Sequence, residues 1–179
     1  YVSAPGLTAE LCSWREDCQW IKICSPATGR YAVADRRTGM ITPFRYDGVQ
    51  MVSYSGEDYM IVQRDGNMGV LGEGCRQLVP EQYATVSAPD GERAYFVATR
   101  NVGEYSVPRS MLWSLDGEML GEEDALEKYF FSKEHITGVA YGRLPSGHMV
   151  IIAPDGTMTK TGERSIVAGS DGNWSPDST

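Results

Sequence analysis

The sequence predicts an all-β protein built from tandem antiparallel β-repeats of about forty residues, arranged as a propeller-like array or an open twisted stack, with one short helix. The first observation is internal similarity. Gly29-Arg30-Tyr31-Ala32-Val33 through Ile41, Pro43, Tyr46 and Val49 lies without a gap on Gly66-Asn67-Met68-Gly69-Val70 through Leu78, Pro80, Tyr83 and Val86, at an offset of 37 residues. Two weaker copies follow, Ser110-Met111-Leu112-Trp113 with Asp116-Gly117 and His148-Met149-Val150-Ile151 with Asp155-Gly156, so the equivalent large residues are Tyr31, Met68, Met111 and Met149. The second is that each copy follows an earlier β-rich run, at residues 20–24, 59–62, 94–99 and 138–141. The third is the recurrence of Asp-Gly at 65–66, 90–91, 116–117 and 155–156, where glycine supplies positive φ and aspartate bonds its local backbone.

Along the chain, Thr8 is placed to cap a short helix presenting Leu11, Trp14 and Cys18. Residues 49–54 read as a strand joined to 59–62 by the turn Ser55-Gly56-Glu57-Asp58, so a unit holds three or four short strands. The segment 121–133 reads as the short helix. Glu122, Glu123 and Asp124 suit its N-terminus, and Leu126, Tyr129, Phe130 and Lys133 follow i, i+3, i+4, i+7 spacing. Its expected role is to cover a sheet edge. The organisation is then an N-terminal extension over 1–19, a single β-repeat domain of about four units over 20–168, and a flexible tail over 169–179 with little to bury. One cooperative domain is expected because a lone repeat cannot bury its hydrophobic face.

The pattern Gly-x-aromatic-Gly-hydrophobic, turn, hydrophobic-x-Pro-x-x-Tyr-x-x-Val resembles the WG repeat. Residues 66–86 carry it best. Residues 29–49 place Tyr31-Ala32 where that family has Trp-Gly, the later copies keep only the hairpin core, and no copy carries the tryptophan. The resemblance covers roughly residues 20–160 and implies tandem β-rich repeats that serve as interaction modules without one fixed catalytic activity.

Composition bounds the partners. The 179 residues include 16 basic and 24 acidic side chains for a net charge of −8, a field that repels phosphate backbones, so nucleic acid is not expected. No apolar run exceeds the five residues of 149–153, far below the ~20 of a spanning helix, and membrane insertion within this chain is not expected. Hydrophobic residues at 41% and aromatics at 10% suffice for a sizeable core.

Cys12, Cys18, Cys24 and Cys75 lack the short Cys-x2-4-Cys pairs of a zinc site. Their even number permits two disulfides. The expected pairing is 12–18, a local loop, and 24–75, joining the first strand of one repeat to the hairpin of the next. With a start at Tyr1 and no initiator methionine, this reads as a processed chain, exported or cell-surface, the alternative being cytoplasmic.

Catalytic signatures are sparse. His135 and His148 are the sole histidines. Asp65-x-Asn67 opens like a calcium loop, but Gly69, Gly72 and Gly74 follow where oxygen ligands are needed. These glycines precede no Gly-Lys-Ser/Thr of a phosphate loop. No nucleophile signature is present, and no cofactor or metal is expected. Asn173-Trp174-Ser175 fits a glycosylation acceptor.

Aromatic side chains are the main functional resource. Tyr54, Tyr59, Tyr95 and Tyr105 lie beside turns, where amphipathic rings stack on sugars or anchor protein partners. The expected function is a noncatalytic binding or interaction module that recognises protein or glycan through repeat loops. The alternative is a carboxylate-based hydrolase acting on glycans, with acid and base drawn from Glu122, Glu123 and Asp124 or a loop pair.

Overall fold

The computed structural model describes residues 6–12, 17–91, 93–122, 125–131 and 139–164. These residues form short antiparallel strands in four open sheets, with one 3-10 turn at Glu73–Cys75 and no α-helix among them. The chain divides into two compact units, 1–86 and 87–179.

In the first unit, β1 (Thr8–Leu11), β2 (Trp20–Ser25) and β3 (Arg30–Asp35) form a sheet in the order β1-β2-β3. The segment 41–46 completes it through the antiparallel bridges Tyr31↔Tyr46 and Ala34↔Ile41. The second sheet, ordered β4-β5-β6-β7, comprises β4 (Gly48–Tyr54), β5 (Glu57–Arg64), β6 (Asn67–Gly72) and β7 (Arg76–Tyr83). Its first two hairpins close on Ser55-Gly56 and Asp65-Gly66, all four residues at positive φ, as the tightest right-twisted turn requires.

The internal repeat has a shared geometric reason. Opposite 68–70 of β6 lie residues 79–83 of β7, and opposite 31–34 of β3 lie 41–46, so both return strands carry extra length and the ladder shifts register. Pro80 and Pro43 sit inside these irregular stretches, where a missing N–H costs the ladder least. The tyrosine three residues later re-enters the ladder and is fully buried in both copies. Each buried hydroxyl accepts from the side chain just before it. Arg45 donates to Tyr46 Oη at 3.0 and 3.2 Å, and Gln82 to Tyr83 Oη at 3.2 Å. The core of this unit gathers Cys18, Trp20, Val33, Tyr46, Met60, Val62 and Leu71.

β8 (Thr85–Ser87) straddles the boundary at 86–87, and the second unit contains β9 (Tyr95–Val102), β10 (Val107–Ser114) and β11 (Met119–Leu120), in the order β11-β10-β9. Its other sheet runs β12 (Lys128–Phe131), β13 (Ala140–Arg143), β14 (His148–Ile152) and β15 (Met158–Arg164), in that order. Tyr95, Val97, Leu112, Leu126, Ala140, Val150 and Ile152 form its core.

Both expected helices are corrected. Thr8–Leu11 is a strand paired with β2 from Thr8↔Cys24 to Leu11↔Ile21, so the backbone bonds of this stretch go to a neighbour strand and not to a helical turn. In 121–133, Leu126 is bridged to Ser110 and Lys128–Phe131 pairs with β13. Leu126 takes the place of the closing tyrosine: Tyr46, Tyr83 and Leu126 are each buried, and each is followed two residues later by the start of a strand, at Gly48, Thr85 and Lys128. Trp14, Glu123, Asp124, Lys133, His135, the tail 169–179 and the Asn173 acceptor lie outside the described residues.

Candidate functional site

A groove of about 320 Å³ in the first unit is lined by Glu10, Leu11, Cys12, Lys22, Val49, Gln50 and Met51. It runs between β1 and β4, the first strands of the two sheets, each of which has a strand partner on one side in the sheet order. Val49, Met51 and Cys12 are half-buried and pack on the core below, giving the groove an apolar floor. Its rim is polar. Lys22 Nζ lies 2.7 Å from Glu10 Oε1 and 5.2 Å from the centre of the Tyr31 ring. The bond to Glu10 holds the Lys22 ammonium above its ordinary range. With Glu10 well exposed, this pair contributes little to stability.

Cys12 enters through backbone pairing: its N–H donates to Trp20 O at 3.1 Å. Burial, and then the neighbouring Cys18, push its thiol up to about 11, so it is protonated at neutral pH and is no activated nucleophile. Cys18 is buried, with its Sγ–H directed to Trp20 O at 3.5 Å and to Met51 Sδ at 3.6 Å. Cys75 Sγ faces Met40 O at 3.5 Å and Val33 O at 3.9 Å. All four cysteines are free, so the expected 12–18 and 24–75 disulfides are not formed in this structure; Cys18 and Cys75 direct their sulfurs to carbonyl and thioether partners instead.

The four tyrosines chosen from the sequence do not form one surface. Tyr95 is fully buried and Tyr59 nearly so, because each faces the core side of its strand. Tyr95 Oη is 2.8 Å from Tyr129 Oη, and the rings meet edge to face. Tyr105 stands 86% exposed at the tip of the β9–β10 hairpin, and Tyr54 is half-buried at the end of β4. These last two belong to different units.

The second unit buries an arginine. Arg93 donates to Ala88 O at 2.6 Å and to Tyr129 Oη at 3.2 Å, and lies 5.2 Å from the Phe131 ring centre and 5.7 Å from that of Tyr95. These contacts tie a loop to two aromatic strands, a structural use of the cation. His148 accepts or donates locally with Ser146 Oγ at 2.9 Å. Among the described residues no group of three or more His, Cys, Asp or Glu is arranged to hold a metal. No helix among them is long and apolar enough to cross a membrane.

No protein family, curated protein or solved structure matches the chain. Sequence reading missed the groove's residues because they come from segments about forty positions apart. The one signal that pointed to it was the crowding of Cys12 and Cys18 beside the first strand.

Proposed function

We propose that the protein is a noncatalytic interaction module, built from WG-like repeats, that holds an extended segment of a protein partner in the groove between β1 and β4. The observation that carries this reading is the groove itself: an apolar floor of Val49, Met51 and Cys12 flanked by two outer strands. An outer strand offers main-chain donors and acceptors to an added strand, while alternate side-chain pockets supply selectivity. The WG-like reading is supported by the shared register shift and the buried Pro-x-x-Tyr tyrosines of the first two copies.

The experiment is selection from a displayed random-peptide library, run beside a glycan array, with amide exchange on the bound state. The expected result is a selected peptide that slows exchange in Val49, Gln50 and Met51 and loses about tenfold in affinity, some 1.4 kcal/mol, against Leu11→Glu. Leu11 is 37% exposed, so this change leaves the core alone. Glycan binding without any selected peptide, or peptide binding indifferent to Leu11→Glu and Met51→Lys, overturns the proposal.

A further inference from the structure

The groove floor carries a second chemistry that does not depend on the peptide reading. Two soft sulfur donors, Cys12 and Met51, line it, and a third, Cys18, is buried against Met51. Cys18 Sγ and Met51 Sδ are 3.6 Å apart, and Cys12 and Met51 share the groove lining. The Cys12 backbone N–H and the Cys18 thiol both bond Trp20 O, at 3.1 and 3.5 Å, so the two residues share one backbone anchor although six positions separate them. Cys12 packs on the same core cluster that contains Cys18. The three residues come from just after β1, the approach to β2 and the middle of β4, so the arrangement is a product of folding, with no sequence motif behind it.

We propose that Cys12, Cys18 and Met51 form a binding site for a soft monovalent metal ion, Cu(I) in the first instance. Thiolate and thioether sulfurs select Cu(I) over harder divalent ions. With metal–sulfur bonds of about 2.3 Å, ligand sulfurs around one ion sit about 4 Å apart, close to the Cys18–Met51 separation. Zinc favours four nitrogen or thiolate ligands, and a three-sulfur set with a thioether does not satisfy it. The apolar surroundings of Trp20, Val33, Met60 and Val62 keep the core side dry, and the groove gives the ion a path in from solvent. Binding forms two Cu–thiolate bonds and one Cu–thioether bond and releases the two thiol protons; no electron is transferred.

The test uses the reduced full-length chain under anaerobic conditions, with Cu(I) supplied against a chromophoric Cu(I) chelator. The expected result is one Cu(I) retained per chain, with a thiolate-to-copper charge-transfer band in the near ultraviolet. Cys12→Ser removes a half-buried groove ligand and leaves the core in place; it lowers Cu(I) affinity by more than about 100-fold, beyond the effect of losing an outer-shell partner. Met51→Leu, matched in volume, lowers it about tenfold while far-UV circular dichroism is unchanged. Cys24→Ser and Cys75→Ser have no effect. Retention of one Cu(I) by Cys12→Ser, or a stoichiometry that falls with Cys24→Ser or Cys75→Ser, overturns the proposal. Loss of peptide binding with Cu(I) binding intact counts only against the preceding proposal.

Discussion

A methyl group at position 69 has nowhere to go. A Cβ there falls 2.6 Å from Val79 O, 2.9 Å from Glu81 Cγ and 3.0 Å from Gln77 Nε2, because the register shift between β6 and β7 folds the return strand over this residue. The Gln77 amide also donates to Val79 O at 2.7 Å, so displacing it strands a carbonyl. Gly69→Ala is therefore expected to destabilise the protein by about 1–3 kcal/mol in urea unfolding, the cost of overpacking plus a lost bond. An unchanged midpoint sinks this account of the glycine. Asp35 is the other residue whose role is local and strong. It is fully buried, and its carboxylate accepts from Gly74 N at 2.6 Å, Arg37 N at 2.9 Å and Gln19 Nε2 at 3.1 Å. Burial alone would raise its pKa, but these donors outweigh it and hold the carboxyl below its ordinary 3.8. A lowered folded-state pKa means the contribution is present above the unfolded value and is lost as pH falls through the folded one. Asp35→Asn is expected to cost about 2 kcal/mol at pH 7, with the gap to the parent narrowing below about pH 4. A gap independent of pH between 7 and 3 contradicts the assignment. Glycine at 69 was visible in the sequence as part of a repeat; that it answers a carbonyl across the sheet required the register, and the shortest bond to Asp35, from Gly74 N, comes from a turn about forty residues away.

The strands follow from local chemistry, and the misread element shows where such reading fails. Asp65-Gly66 and Ser55-Gly56 sit at hairpin tips because only residues that tolerate positive φ close a two-residue turn, a property visible in the sequence. The 126–131 stretch has helical spacing for a different reason. Leu126 is an inward closing residue, and the strand that begins two positions later has a half-buried run at Tyr129, Phe130 and Phe131. A buried bridge followed by a strand thus reproduces the i, i+3, i+4 pattern without a helix. Leu126 packs over Gly142, where a Cβ would lie 2.9 Å from Leu126 Cδ2, so its truncation leaves a hole in the second core. Leu126→Ala is expected to cost about 2–4 kcal/mol, measured by denaturant midpoint at unchanged slope. A cost below about 0.5 kcal/mol, the size of a surface change, would return Leu126 to a peripheral role.

At the scale of the whole chain, repetition and cohesion are separate properties. The sequence shows the repeat because the first two copies share a register-shifted return strand and a buried closing tyrosine, whereas the grouping of copies depends on which faces meet. Two compact units result, and each encloses its own cluster: Trp20, Met60 and Leu71 with their neighbours in one, Tyr95, Leu112 and Ile152 with theirs in the other. The groove is legible in neither copy alone, since its floor joins Val49 and Met51 of β4 to Cys12 and its rim belongs to β1 and β2. A stack of mutually dependent repeats and a pair of units with separate cores differ in how damage spreads. Leu112 is fully buried in the second cluster, and Leu112→Ala removes about 3 kcal/mol of its packing. If the cores are energetically separate, native-state amide exchange accelerates in β9, β10, β13 and β14, while Val62 and Val70 in β5 and β6 keep the parent's protection. That is the expected outcome, because the first cluster contains no residue beyond Leu71. Equal acceleration at Val62 and Val70 would show a single cooperative domain across 20–168, the organisation that the repeats alone suggest.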